Sequence, residues 1–291
     1  MRAVVFGASG VIGRALLPEL ARRGEVVAVS RRRREAVDGV AWASADATDA
    51  AAVARVLREG DVVVYLVHSL GAADFEEVDR RAADTVAASA GRAGASQIVY
   101  LGGLGATSNA ESAHLRSRAE TAGRLAAGPV PVTALRAGMV VGPGSAAFET
   151  IRALVDRLPA MICPRWVSTP TQPIALRDVV SYLAAVCGLE AALGRSFDVA
   201  GPEVMTYREM IERIARIRGK RLRIVEVPVL TPRLSSWWLH LVTPVNASVA
   251  RPLVDGLRTP TVARETSIRE LVAIEPTPFD DAVREALRAG P

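Results

Sequence analysis

Three glycines at three-residue spacing open the chain's chemistry. In "VVFGASGVIGRALLPEL" an apolar run ends at Phe6, Gly7, Gly10 and Gly13 follow, and a helical pattern begins. Glycines there permit a tight turn, a close backbone approach to a pyrophosphate, and packing of the helix on the strand. The helix N-terminus then offers free N–H groups and the positive end of its dipole. The spacing places Gly7, Ser9, Gly10, Val11, Ile12 and Gly13 around a phosphate. A second candidate stretch is "YLGGLGATSNAESAHLRSRAE", Tyr100 to Glu120. It reads as a strand, then a glycine-rich loop with Ser108 and Asn109, then a helix. His114 and Arg118 stand at i,i+4 and share one face of that helix. A histidine titrates near neutral pH and serves as acid or base, and a positive Arg118 beside it favours the neutral imidazole.

The elements that must hold these residues follow from periodicity. Short apolar runs read as buried parallel strands over Ala3–Phe6, Val26–Val29, Val40–Ala43, Val62–Val67, Ile98–Leu101 and Val132–Arg136. Helical segments lie between them, over Val11–Arg23, Ala50–Arg58, Phe75–Ala93 and Ser112–Ala126. That alternation predicts an α/β fold, a Rossmann-type doubly wound parallel sheet. Beyond Gly142 the pattern loosens. Helices are expected over Phe148–Leu158, Arg177–Leu189 and Phe279–Leu287, and strands over Ser196–Val199 and Arg223–Val227. "ICPRWVSTPTQPIAL" is proline-rich and reads as irregular. "TYREMIERIARIRG" is an amphipathic helix with Thr206 as N-cap and Gly219 as its stop. The expected division is a dinucleotide-binding domain over 1–142, its sheet completed by 171–200, and a smaller C-terminal substrate lobe over 143–291.

Composition removes several function classes. The chain has 291 residues and is 50% hydrophobic, enough for a large core. Its net charge of +5 is mild, and its densest basic run, Arg31–Arg34, has no aromatic beside it. A nucleic-acid binder would carry a basic stripe interleaved with aromatics. Two cysteines, Cys163 and Cys187, make neither a disulfide framework nor a metal spacing, which fits a reducing cytoplasm. The three histidines are scattered, and no metal site is expected. No secretory leader is expected, and no apolar run reaches the ~18 residues that span a membrane. "LSSWWLHLV", Leu234–Val242, is unusually apolar. It reads as a packed helix, with a dimer contact, a lid, or a peripheral membrane helix as the sharper alternatives.

The second strand, "VVAVS", ends at Ser30, with Arg31 and Arg32 next. Enzymes selecting NAD commonly place a carboxylate there, on the ribose hydroxyls. A serine and two guanidinium groups suit a 2′-phosphate instead. The expected cofactor is NADP(H), with NAD(H) the other option and a solvated arginine turn the plain alternative.

The Gly-x-x-Gly-x-x-Gly spacing resembles the short-chain dehydrogenase/reductase superfamily, in its extended and atypical branches. "SADATD" resembles the acidic turn that contacts the adenine, which implies that role for Asp46 and Ala47. "VYLVHSL" looks like the strand lining the nicotinamide side, which implies contacts from Leu66, Val67 and His68. "ALRAGMVVGPGS" resembles the sixth-strand segment that opens the substrate lobe, and "FDVAGPEVMTYREMI" looks like the late strand-to-helix step of the extended members. "YLVHSLG", "YLGGLG", "HLRSR" and "CPRWV…QPIALRDV" are similar to a bacterial NAD(P)H-binding group. That group is related to NmrA-like regulators and to the nucleotide-binding accessory subunit of respiratory complex I.

The chain departs from the superfamily's usual oxidoreductases. Those place a serine near the fifth strand's end, and a tyrosine with a lysine four residues on in the next helix. Here Gly102 and Gly103 stand near the serine's place, and His114 and Arg118 have the spacing of the pair. Lys220 is the only lysine and Arg216 stands four residues before it, so no other register restores the motif. Two readings stay open. In one, His114 donates the proton and Arg118 holds ribose or an anionic substrate, in an NADPH-preferring oxidoreductase acting on an unknown small-molecule or quinone-like substrate. In the other, the site binds the dinucleotide without chemistry, as a sensor, regulator or assembly protein.

Overall fold

A computed structural model of the chain describes residues 1–290 except 33, 35–39, 70, 71, 73, 108–111 and 228–255. Ser108, Asn109 and the apolar stretch Leu234–Val242 lie outside the described residues.

Seven parallel strands form the central sheet: β1 (Arg2–Phe6), β2 (Glu25–Ser30), β3 (Val40–Ser44), β4 (Val62–Tyr65), β5 (Gln97–Gly103), β6 (Val132–Ala137) and, from far along the chain, β11 (Ser196–Val199). Their order is β11-β6-β5-β4-β1-β2-β3. The first six alternate with α1 (Val11–Ala21), α2 (Ala50–Val56), α3 (Phe75–Ala93) and α4 (Ala113–Ala126). This is the doubly wound sheet that the alternation predicts. Side chains alternate across it with the period of a strand. Ala3, Val5, Val62, Val64 and Val99 face a core shared with α1 and with α6 (Leu176–Val186). Val4, Phe6, Val63, Tyr65, Ile98 and Tyr100 face the opposite core, under α2 and α3.

The order reverses between β1 and β4. In such a sheet the crevice outside the strand ends at the reversal receives the ligand. Here the strand ends are Phe6 and Tyr65, which are register partners.

Several boundaries differ from the periodicity. The fourth strand stops at Tyr65 rather than Val67, although Leu66 and Val67 continue the apolar run. A Cβ on Gly7 would lie 2.6 Å from the Leu66 carbonyl oxygen, so the backbone of the glycine turn occupies the place beside Leu66. Helix α2 ends at Val56 and α1 at Ala21, each shorter than its pattern. Asp49 caps α2 by accepting from the amides of Ala51 and Ala52.

The smaller lobe has its own core. It comprises α5 (Ala146–Arg157), β8 (Ala160–Pro164), α7 (Tyr207–Ile217), β13 (Arg223–Val227) and a last helix, Phe279–Arg288. Phe148, Val155, Met210, Ile214, Phe279 and Val283 pack there. The stretch expected to be irregular begins inside β8, which pairs in parallel with β13. Short strands β7 (Val140–Val141), β9 (Pro170–Thr171), β10 (Ile174–Ala175) and β12 (Met205–Thr206) join the lobe to the sheet. A four-residue helix, Ile268–Leu271, is α8, and Phe279–Arg288 is therefore α9. Thr206 caps α7 in a reciprocal capping box with Glu209.

Candidate active site at the sheet's switch point

The crevice holds a cavity of about 460 Å³. Gly7, Gly10, Val11, Ile12 and Gly13 line one end, and Leu66 and His68 follow β4. Gly102, Gly103, His114 and Arg118 come from β5 and α4. Met139, Ser145, Tyr207 and Leu257 close the side of the smaller lobe.

Each glycine of the cradle has its own reason. Gly7 adopts φ +82°, a left-handed backbone, against the Leu66 carbonyl. A Cβ on Gly13 would stand 2.6 Å from the Gly7 carbonyl oxygen and 2.7 Å from the Ala8 Cα, so α1 packs on the turn only without one. Gly10 is different. Its φ of −72° suits any residue, and a Cβ would meet only the Gly7 oxygen at 3.3 Å. The exposed Gly10 faces the space a phosphate needs. No side chain caps α1, so its first-turn amides are left to a ligand. These residues fit a dinucleotide's pyrophosphate.

Ser9, Ser30, Arg31, Arg32, Asp46, Ala47 and Val67 do not line the cavity. Ser9 shares the cradle turn, and Val67 packs partly buried against the core under α3. The others cluster at the ends of β2 and β3, on the sheet's far side from the histidines. The Ser30 hydroxyl donates to the Arg32 carbonyl at 2.6 Å, and the Ser44 hydroxyl donates to the Arg31 carbonyl at 3.2 Å. These bonds shape the turn and leave both guanidinium groups exposed, with no ion pair among the described residues. Arg34, by contrast, is stacked over Trp42 at 5.4 Å. Asp46 accepts from the Thr48 amide and hydroxyl, at 2.9 and 2.7 Å. Those bonds, with the charges of Arg31 and Arg81, hold its carboxyl below the usual range.

The other end of the cavity is built by side chains. The His68 and His114 rings lie 5.1 Å apart, tilted by 40°. Burial, then the positive Arg118, push His68 down to about 4 despite its bond to Asp79. Burial, Arg118 and His68 push His114 down to about 2. Both imidazoles are therefore neutral at physiological pH. His68 Nδ1 lies 3.1 Å from Asp79 Oδ2. His68 Nε2 and His114 Nδ1 are buried and have no hydrogen-bond partner among the described residues. Arg118 makes no ion pair among the described residues, and its backbone carbonyl accepts from the Tyr100 hydroxyl at 3.1 Å. The cavity therefore offers two neutral rings, each with a nitrogen that has no partner among the described residues, and a cation that makes no ion pair among them.

Asp79 is the residue that motif reasoning misses. It is 3% exposed and sits on the face of α3 that carries Ala82, Ala83, Val86 and Ala90. A carboxylate at an apolar-face position is the sequence signal that marks it.

Comparison with known proteins agrees with this geometry. Residues 7–129 match the NAD(P)H-binding family. A (4-alkanoyl-5-oxo-2,5-dihydrofuran-3-yl)methyl phosphate reductase of Streptomyces griseus is 28% identical over 236 residues, covering 78% of this chain and 77% of that one. The mitochondrial NADH dehydrogenase (ubiquinone) 1 alpha subcomplex subunit 9 of Arabidopsis thaliana is 23% identical over 241 residues, covering 78% of this chain and 60% of that one. In fold, the chain superposes on the NADPH-dependent quinone oxidoreductase of Escherichia coli with a TM-score of 0.79. Identity there is 18%, over 99% of this chain and 100% of that one. The glycine cradle at the sheet's reversal lies within the matched stretch: residues 7–129 form an NAD(P)H-binding domain, on a fold that this chain shares with reductases.

Proposed function

We propose that the protein is an NADPH-preferring reductase of a small, largely apolar carbonyl, enone or quinone-like acceptor, working without the tyrosine–lysine pair. One observation carries the reading. His68, His114 and Arg118 line the same cavity as the first turn of α1. Gly7, Gly10 and Gly13 with the α1 amides would hold the pyrophosphate, and Arg31 and Arg32 the 2′-phosphate. When bound, the reduced dinucleotide supplies a hydride. The chain's own residues then handle charge. Arg118, which makes no ion pair among the described residues, stabilises the negative charge that develops on the acceptor oxygen. His114, held neutral, offers an N–H hydrogen bond rather than a full charge. Leu66, Leu101, Leu104 and Met139 keep the rest of the cavity apolar. A substrate carrying its own anion, as the Streptomyces relative's name specifies for that enzyme, also suits Arg118.

Calorimetric titration with NADPH, NADP, NADH and NAD, followed by a turnover screen over carbonyls, enones and quinones, tests this. Binding of NADPH at least about tenfold tighter than NADH, with turnover of one acceptor class, is the expected result. Binding to none of the four would remove the cofactor and the reading with it. The second reading is a dinucleotide-binding assembly or sensor protein. The missing tyrosine–lysine pair favours it, as does the Arabidopsis relative's name as a subunit. Tight binding with no turnover on any acceptor would select it.

A further inference from the structure

The two histidines of the cavity are not equivalent. His114 Nδ1 has no hydrogen-bond partner among the described residues. His68 has one. Its Nδ1 lies 3.1 Å from Asp79 Oδ2, and Asp79 is itself held in place. Asp79 Oδ1 accepts from the Ser69 amide at 2.9 Å, and Oδ2 accepts a long bond from the Ser117 hydroxyl at 3.4 Å. Asp79 is buried, and burial alone would raise its pKa. Bonds from His68 and Ser69, with the charge of Arg118, outweigh that and keep it ionised. An ionised carboxylate accepts only. The proton between the two groups therefore sits on Nδ1, and Nε2 carries a bare lone pair. Nε2 is also the nitrogen left buried without a partner among the described residues.

We propose that Asp79 and His68 form a carboxylate–imidazole dyad: Asp79 positions the ring, and His68 Nε2 exchanges a proton with the acceptor oxygen in the cavity. This rests on the reductase reading above. The groups acting on His68 are Asp79 from α3 and His114 and Arg118 from α4. Only Asp79 favours an imidazolium there, so His68 is the more easily protonated of the two rings. In reduction, the Nε2–H bond of the imidazolium breaks as an O–H bond forms on the acceptor. The hydride from a reduced nicotinamide dinucleotide makes the new C–H bond, and the C=O π pair ends on oxygen. The neutral ring then takes a proton from water. In the reverse direction, the bare Nε2 removes the hydroxyl proton, and Asp79 offsets the charge that appears on the ring. The same carboxylate–imidazole logic operates in hydrolytic triads, where an amide in place of the carboxylate imposes the wrong tautomer.

The test begins with ring-nitrogen NMR of the free protein labelled at its three histidines. The expected wild-type state at neutral pH is His68 protonated at Nδ1 and bare at Nε2. Asp79→Asn keeps the acceptor for Ser69 but turns an N–H towards His68 Nδ1, so the proton should move to Nε2. Circular dichroism and NADPH titration of that variant should match wild type. With the acceptor returned by the screen, Asp79→Asn and His68→Gln should each lose tenfold or more in kcat with the KM for NADPH unchanged. His68→Gln should also lose the wild-type pH profile, in which reduction accelerates as pH falls from 7 towards 5. A wild-type His68 protonated at Nε2, or a tautomer that survives Asp79→Asn, overturns the dyad. Should Asp79→Asn fail to fold, the wild-type tautomer and His68→Gln decide the matter. His68→Gln with wild-type turnover overturns the proton role while leaving the reductase reading intact. Tight NADPH binding with no turnover on any acceptor overturns both, and the NMR result then shows whether the pair is structural.

Discussion

The two ends of the cavity are built on opposite principles. The cradle, Gly7 to Gly13, is made of backbone: the groups it offers are amides, and its side chains matter by being absent. The histidine end is made of side chains from β4, α3 and α4, with polar atoms placed where burial suppresses their charge. The cradle can be changed only by altering steric space. The histidine end can be changed by a single proton. That difference says where fold and chemistry separate. A substitution in the cradle acts on folding or on phosphate binding according to which glycine is changed, and one at the histidine end acts on titration.

The largest expected effect tests that separation within the cradle. Gly13→Ala places a methyl 2.6 Å from the Gly7 oxygen and 2.7 Å from the Ala8 Cα, both backbone atoms that cannot step aside. Forcing α1 off the turn should cost about 3 kcal/mol. Gly10→Ala, whose methyl would meet the Gly7 carbonyl oxygen at 3.3 Å, a tight contact that a shift of a few tenths of an ångström relieves, should cost only about 1 kcal/mol. Chemical denaturation of the two variants measures the difference. Equal destabilisation would show that Gly10 is also a packing residue and that the cradle has no open position.

At the histidine end the corresponding effect is acid sensitivity. The unfolded chain protonates both imidazoles near their ordinary value of 6.5, whereas the folded chain keeps them bare until about 4 for His68 and about 2 for His114. The unfolded state therefore binds more protons below pH 6.5. Stability present at neutral pH is lost as pH falls through that window, by up to about 1.4 kcal/mol per pH unit for each ring. Urea melts at pH 7, 6 and 5 should show the decline, and His114→Gln should flatten it by about half. A decline unchanged in His114→Gln would mean that this ring is already charged or solvated in the fold.

The same contrast explains which parts of the molecule are legible in the amino-acid sequence. The cradle is contiguous, so its spacing is visible in one stretch, and the sheet's order follows from alternating strands and helices. The strand–helix pattern even carries β11, though its neighbours in the sheet are far away in sequence. The histidine end is assembled from three elements. His68, His114 and Arg118 can be named from their types and spacing, but their meeting depends on α3 and α4 packing side by side over β4 and β5. Asp79 is hidden in an arginine- and glutamate-rich helix and shows only as a carboxylate on the alanine face. The β8–β13 pair is equally hidden, because its partners lie far apart along the chain and prolines interrupt the stretch that holds the first of them.

Back at the cradle, Gly10→Ala should separate binding from folding. Its methyl enters the space beside the α1 amides, so NADPH affinity should fall about 100-fold, or about 2.7 kcal/mol. Calorimetry beside the denaturation curve checks both halves. Unchanged affinity would move the pyrophosphate away from this turn.

The smallest effect concerns the edge of the sheet, where neither principle dominates. Arg31 and Arg32 are exposed and make no ion pair among the described residues, while Arg34 is stacked on Trp42. The Ser30 and Ser44 bonds fix the backbone from which both arginines project. Exposed guanidinium groups contribute modestly, because water and salt screen them. Replacing both by alanine should therefore weaken NADPH by about tenfold, or about 1.4 kcal/mol, and leave NADH nearly unchanged. The loss should shrink at high salt, as it would for a charge–phosphate contact. Equal weakening of both dinucleotides would instead assign the arginines to the turn's shape, and the proposed preference for a 2′-phosphate would have no carrier in this part of the molecule.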